Sequence, residues 1–258
     1  MLDGIDDIRS ACRARLLRDI EEGKEKGIIH RMRSVERAWH FARTHWGMED
    51  LKRQADRFLD QPEELVSLIF KCNHPTLRPY QNKEELTALV RDVRALRPQT
   101  VLEIGTAQGG TLFLWTRLAQ ADAVIVSLDL PGGKFGGGYP ARRATIYRRF
   151  SGKGQKLHLL RRDSHSPATL EKTKQLFSGR PVDLLFIDGD HTYEGVKKDW
   201  EMYSPLVRPG GMIAFHDIAG SYDDTQVKRL WDGIKSEFAT REYAVDRDGK
   251  YGIGVLVK

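Results

Sequence analysis

Two short stretches gather side chains able to do acid, base or metal chemistry. Asp188-Gly189-Asp190-His191 follows the apolar run Val182 to Ile187, and His216-Asp217 follows Met212 to Phe215. Acids standing unpaired just past core strands are costly unless something neutralises them, so Asp188, Asp190, His191, His216 and Asp217 are expected to converge on one pocket. Two or three hard oxygen ligands with positions left open suit Mg²⁺, while a histidine among them shifts the balance toward Mn²⁺, Fe²⁺ or Zn²⁺. The plainer role for Asp190 and His191 is to cap and pack the helix that follows.

A second candidate lies upstream, in Glu103-Ile-Gly-Thr-Ala-Gln-Gly-Gly-Thr111. Gly105 permits a tight turn, and Gly109 and Gly110 would let a ligand approach a helix start whose first N–H groups are unsatisfied. The spacing is G-x-x-x-G-G rather than the G-x-G-x-x-G of dinucleotide folds, and Glu103 adds a carboxylate that could hold an ammonium group. Asp129, twenty-four residues after Gly105, ends the next apolar run. A carboxylate there can accept both hydroxyls of a ribose, which fits a dinucleotide and a sulfonium nucleoside equally.

These residues need a scaffold that brings them to one edge. Apolar runs at Thr100–Gly105, Ala123–Asp129, Lys156–Leu160, Val182–Asp188 and Met212–His216 alternate with helical pattern. Such continuous apolar strands predict a parallel sheet covered on both faces, whose ligands sit outside the carboxyl ends of the strands. Tyr243-Ala-Val, a turn at Asp246–Gly249 and Gly252–Val257 predict a closing antiparallel hairpin. The fold class is therefore α/β, a Rossmann-like doubly wound sheet of seven strands. A helix over Lys83–Leu96 leads into it. Residues 5–70 carry apolar positions at three- and four-residue steps, with Asp60-Gln-Pro-Glu-Glu as a helix start. Hence 1–82 is expected to be an α-helical extension for capping or oligomerisation, and 83–258 the ligand-binding domain.

Composition bounds the function classes. With 258 residues, 42 Lys+Arg against 36 Asp+Glu, 40% hydrophobic residues and a mean hydropathy of -0.50, the chain reads as globular, which excludes disordered and fibrous classes. No run approaches the roughly 18 apolar residues of a membrane span, and Met1-Leu-Asp-Gly-Ile-Asp-Asp lacks the signature of a signal peptide; a cytoplasmic protein without membrane partners is expected. Cys12 and Cys72 have no metal-site or disulfide spacing. Residues 141–180 hold 11 basic and 2 acidic side chains. Sparse aromatic interleaving favours a solvated basic face over a nucleic-acid platform.

Taken in order, Val101-Leu-Glu-Ile-Gly-Thr-Ala-Gln-Gly-Gly, Ser127-Leu-Asp129, Arg162-Asp-Ser164, Asp183-Leu-Leu-Phe-Ile-Asp-Gly-Asp-His-Thr-Tyr193 and Leu206-Val-Arg-Pro-Gly-Gly-Met-Ile-Ala-Phe-His-Asp217 resemble the motifs of class I S-adenosylmethionine-dependent methyltransferases. More narrowly they resemble metal-dependent small-molecule O-methyltransferases of the catechol, macrolide and cephalosporin tailoring type. The resemblance covers about residues 85–258. It implies S-adenosyl-L-methionine as cofactor, its methionine part along the loop of Glu103, Gly105, Thr106, Gly109, Gly110 and Thr111. It implies Asp129 on the ribose, Asp163 and Ser164 beside the adenine, and Asp188 at both cofactor and metal. A divalent metal, Mg²⁺ or Mn²⁺, would be held by Asp188 and Asp217, with His216 where relatives usually carry a carboxylate. His191, three residues after Asp188, is the implied general base. The implied partner is a hydroxylated small molecule, with a homo-oligomer by analogy. An NAD-dependent oxidoreductase shares the strand, glycine loop and acid, though not the glycine spacing or the hairpin. A nucleic-acid methyltransferase would carry an Asn/Asp-Pro-Pro-Tyr element where this chain has Asp188-Gly-Asp-His191, and a binding module without turnover would have no use for the acidic cluster. Gly132 to Tyr139 reads as a lid or a flexible connection; Trp46, Tyr80, Tyr139, Tyr193 and Tyr222 are candidate acceptor-site aromatics.

Overall fold

The computed structural model describes residues 47–72, 77, 79–132, 138–220, 226–245 and 251–258. The chain divides into two compact units, 1–50 and 51–258. Of the first, only 47–50 are among the described residues, in a helical stretch running over 47–56; everything below concerns the second. Most of the expected N-terminal helical region, the centre of the glycine-rich loop, the 246–249 turn, Trp46 and Tyr222 lie outside the described residues.

The described elements begin with α1 (Pro62–Lys71) and α2 (Lys83–Leu96). Helix α1 starts one residue later than Asp60 would set it. Gln61 is the N-cap without a side-chain bond, Pro62 opens the helix and Glu63 and Glu64 sit in its first turn. Asp60 instead pairs with Arg94 of α2, as Glu63 does with Arg91. The apolar face Leu65, Val66 and Ile69 is buried. Helix α2 keeps its expected bounds because both ends are signalled. Asn82 Oδ1 accepts from the backbone N–H of Glu84 and Glu85 at 2.9 and 3.3 Å, and Arg97 closes the helix in the left-handed region.

The sheet follows in alternation: β1 (Thr100–Ile104), α3 (Gly110–Leu118), β2 (Val124–Asp129), α4 (Ala141–Tyr147), β3 (Lys156–Arg161), α5 (Pro167–Phe177), β4 (Val182–Ile187), α6 (Tyr193–Tyr203), β5 (Val207–His216), α7 (Val227–Ile234), β6 (Ala239–Tyr243) and β7 (Ile253–Val257). Spatial order is β3-β2-β1-β4-β5-β7-β6. The first five strands pair in parallel, and β7 is antiparallel to both β5 and β6. Every residue of β1 and β2 is buried, as continuous apolar runs require, whereas edge strand β6 is largely exposed and carries Arg241 and Glu242.

Because the chain goes out from β1 to β3 and returns to β4 on β1's other side, the order reverses between β1 and β4, where a doubly wound sheet opens a crevice. The polar groups at the opposite end of the sheet are spent on structure. Asp183 accepts from the N–H groups of Gln99 and Thr100 at 2.7 and 3.0 Å and from Arg208 Nε at 2.6 Å. Glu85 of α2, 1% exposed, ties the hairpin to the site. It accepts from Val245 N and Gly252 N at 3.0 and 2.9 Å, and the carbonyls of Gly252 and Tyr251 accept from Ile218 and Ala219, directly after Asp217.

Candidate functional site

The crevice forms where β1 and β4 end side by side. Asp188 N–H donates to Ile104 O at 2.8 Å, and a Cβ on Gly105 would stand 1.8 Å from Asp188 O. With φ at +95°, position 105 therefore admits glycine on two counts. Beyond it lies a cavity of about 420 Å³, lined among others by Gly105, Asp129, Arg162, Asp163, Ser164, His165, Asp188 and Asp190. A smaller niche of about 30 Å³ lies beside it, under Tyr80 and Gln81, and shares Gly105 and Asp188.

Asp129 organises the loop as well as facing the cavity. Its Oδ2 accepts from Thr106 N and Ala107 N at 3.0 and 2.7 Å, its Oδ1 from Leu130 N at 2.7 Å. Burial pushes its pKa up against the pull of these backbone donors. Of the expected cofactor residues, Gly105, Asp129, Asp163, Ser164 and Asp188 line the larger cavity, and Thr106, Gly110 and Thr111 line the niche.

Two expectations about this loop need correction. Gly109 and Gly110 are glycines for the protein's own packing, since a Cβ at 109 would meet the Tyr147 ring at 2.9 Å and one at 110 the Leu77 carbonyl at 2.7 Å. Glu103 does not reach the ligand cavity. It is fully buried, with Oε1 accepting from Thr111 Oγ1 at 2.8 Å and Trp115 Nε1 at 2.9 Å and Oε2 from Ser127 Oγ at 2.9 Å. Burial pushes its carboxyl from 4.5 up to about 8, against the three donors. The native state thus binds a proton that the unfolded chain releases. That stabilisation is full below about pH 4.5 and is lost as pH rises through about 8. Glu103→Gln keeps the amide equivalent of the protonated network. Melting curves at pH 5 and pH 8.5 should show wild type losing at least about 3 °C more than this variant; equal losses would mean that Glu103 folds ionised.

Next to Asp188 the second constellation assembles. Single ligand atoms of Asp188, His191 and Asp217 lie within 4.8 Å of one another. His191 Nε2 is 3.6 Å from Asp188 Oδ1 and 3.4 Å from Asp217 Oδ2; its pKa is raised, first by the hydrogen bond to Asp188, against burial. Asp217 is held at φ +62°, a left-handed conformation that costs a non-glycine residue free energy and is typical of functional positions.

His216, expected among the metal ligands, lies outside the group whose single ligand atoms converge, though it touches both of its carboxylates. It is 3% exposed, its Nδ1 3.2 Å from both Asp188 Oδ1 and Asp217 Oδ1. Burial alone would lower its pKa, yet the two carboxylates raise it to about 10. His216 stands beside both carboxylates, and His191 completes the converging group. Asp190 does what a loop acid ordinarily does: its Oδ1 accepts from Thr192 N at 2.9 Å, ahead of the Thr192 cap of α6.

Sequence reasoning missed Gln81, whose Nε2 donates to Asp188 Oδ2 at 2.8 Å, because a lone glutamine in a linker has no pattern. It also missed His165, which lines the cavity with Nε2 3.4 Å from the fully buried Asp199; only its position just after Arg162-Asp-Ser164 hinted at it. Among the aromatics, Tyr80 is 62% exposed and accepts from Gln108 at 2.7 Å, Tyr139 is packed on Tyr147, and Tyr193 lies under the Arg229 guanidinium at 3.9 Å. The basic segment is divided: Arg162 lines the cavity, and Arg161 donates to the Tyr139 carbonyl at 2.9 Å. Among the described residues no helix is long and apolar enough to cross a membrane.

Comparison with known proteins agrees with this architecture. Residues 102–218 match the family model described as a methyltransferase domain. The uncharacterized protein y4gI of Sinorhizobium fredii is 27% identical over 171 residues, and the uncharacterized protein R132 of Acanthamoeba polyphaga mimivirus is 33% identical over 145. These alignments cover 64% and 56% of this chain but only 18% and 63% of the relatives' lengths. Among solved structures, the O-methyltransferase TomG of Streptomyces achromogenes in complex with SAM aligns at a TM-score of 0.50 and 15% identity, over 76% of this chain and 89% of that one. The mycinamycin-pathway methyltransferase MycE, in complex with Mg, SAH and mycinamycin VI, aligns at 0.50 and 19%, over 75% and 53%. Residues 102–218 thus resemble a methyltransferase domain, and the chain shares the Rossmann-like fold of these two structures.

Proposed function

We propose, from the likeness of residues 102–218 to a methyltransferase domain, that the protein is an S-adenosyl-L-methionine-dependent O-methyltransferase, assisted by a divalent cation, for a hydroxyl of a small molecule such as a sugar, a natural product or a catechol. The observation that carries this reading is that Asp188 belongs at once to the switch-point cavity and to the group with His191 and Asp217. A cofactor bound in the first would meet an oxygen bound at the second. The cavity falls within the roughly 300–1,000 Å³ of small-molecule sites and has an acid at the end of β2, as a ribose requires.

The residues present fit a cation. Asp188 and Asp217 present carboxylate oxygens to one point, hard donors compatible with Mg²⁺ or Mn²⁺. When bound, such an ion supplies Lewis acidity that lowers the pKa of a hydroxyl. His191 Nε2 takes the hydroxyl proton as the oxygen attacks the sulfonium methyl group, whose C–S bond breaks to leave the neutral thioether S-adenosylhomocysteine. His216 keeps the two carboxylates together, and the first loop, fastened by Asp129, orients the donor. By the same resemblance the protein is taken to act as a homo-oligomer in the cytoplasm.

The test is calorimetric titration of the purified protein with S-adenosylhomocysteine and with NAD, each with and without Mg²⁺ or Mn²⁺. Micromolar binding of the first alone is expected, and Asp129→Ala should weaken it about tenfold or more, the scale of a hydrogen-bonded charge. Binding of NAD alone would make the protein an oxidoreductase, and an unchanged affinity in Asp129→Ala would remove the ribose assignment.

A further inference from the structure

We propose that Gln81 reads the amino-acid end of the methyl donor, its side-chain oxygen accepting a hydrogen bond from the donor's α-ammonium group while its side-chain nitrogen holds Asp188. The inference rests on the methyl-donor reading above and adds to it a residue outside every motif of the sequence. Gln81 is 8% exposed, immediately before the Asn82 cap of α2, on the wall of the small niche. Its amide orientation is fixed by chemistry: Asp188 Oδ2, 2.8 Å away, accepts and cannot donate, so nitrogen faces it and oxygen faces elsewhere. That oxygen is buried and has no hydrogen-bond partner. A buried acceptor left unpaired is unfavourable and marks a place where a donor is to arrive.

Two of the protein's own hydroxyls on this niche and beside it are engaged. Thr111 donates to Glu103 at 2.8 Å, and the Thr106 hydroxyl is paired with that of Ser127. A neutral hydroxyl or a water would satisfy a carbonyl, but this niche also holds the Asp188 carboxylate, and a negative neighbour favours a cationic donor. Gly110 and Thr111, which line the niche as well, open α3, whose cap Gly109 contributes no side-chain bond to the first N–H groups of the helix. Acceptors and an anion beside a helix N-terminus complement an ammonium and a carboxylate on one carbon, the zwitterionic end of an α-amino acid.

The test compares S-adenosylhomocysteine with 5′-S-(3-carboxypropyl)-5′-thioadenosine, the same molecule without its amino group, on wild type and on Gln81→Met, whose side chain has nearly the same volume. Calorimetry should show wild type preferring S-adenosylhomocysteine by about ten- to a hundredfold, the range of a charge-assisted hydrogen bond. Gln81→Met should lose most of that preference through weaker binding of S-adenosylhomocysteine, with the deaminated ligand unaffected. Equal weakening of both ligands, or of neither, overturns the proposal, as does a lower Mn²⁺ affinity with unchanged preference, which would make the amide a support of the cation site alone. The wild-type comparison decides even if the variant does not fold: absence of any preference refutes an ammonium reader while leaving the methyl-donor reading standing. Failure of wild type to bind S-adenosylhomocysteine at all would instead remove that reading and the proposal with it.

Discussion

Asp217→Asn is expected to lower turnover by on the order of 10³, while affinity for S-adenosylhomocysteine stays within about threefold. The magnitude follows from removing one of two carboxylates that would hold the cation, an ion worth several kcal/mol at the transition state when each 1.4 kcal/mol is tenfold. Asparagine is the right replacement because Asp217 sits at φ +62°, a region asparagine adopts about as readily as aspartate, so the backbone is left in place. Asp217 lines neither the cavity nor the niche, which is why donor affinity is spared. Electron paramagnetic resonance with Mn²⁺ reads the cation directly and needs no acceptor; at least tenfold weaker binding is expected. The His216 imidazolium, left with Asp188 as its remaining carboxylate, should also titrate lower in the variant, visible in its ring-proton shifts. Full turnover with unchanged Mn²⁺ binding would remove the cation from the proposed function.

The fold was legible because its signals are redundant. Continuous apolar runs give β1, β2, β4 and β5, and the helical pattern over Lys83–Leu96 gives α2. The acids past β4 and β5 were legible for the same reason, since Asp188 and Asp217 stand where the topology puts ligands. What escaped was the partnership each side chain makes across the sheet. Glu103 looks available in sequence, yet alternation along β1 turns it toward Thr111, Trp115 and Ser127. Likewise Gly109 and Gly110 have the spacing of a ligand loop, but Tyr147 and the linker fill the space they leave. The parts of His191 and His216 could not be separated by spacing, because the difference is depth: one ring is a quarter exposed beside the two acids, the other is buried beside them. Gln81 arrives from a linker 107 positions before Asp188.

Depth also sets the second large effect. His191 is the one nitrogen base of the converging group with solvent-facing surface, so a substrate hydroxyl can reach it, whereas His216 is enclosed. His191→Ala is expected to lower turnover by about 10² to 10⁴, the contribution of a positioned general base, with KM nearly unchanged because the imidazole acts on the proton rather than on the ground-state complex. The residual rate should climb with pH, as solvent hydroxide takes the proton the imidazole took. Because His191 Nε2 lies 3.4 Å from Asp217 and 3.6 Å from Asp188, the same nitrogen could coordinate the cation instead, and one nitrogen cannot do both at once. Mn²⁺ affinity separates the roles. A variant that binds Mn²⁺ as wild type does and turns over slowly has lost its base; one that loses Mn²⁺ affinity and recovers turnover at saturating Mn²⁺ has lost a ligand. The first is expected, since Asp188 and Asp217 alone already supply the hard oxygen donors that Mg²⁺ prefers, so that the imidazole serves the proton.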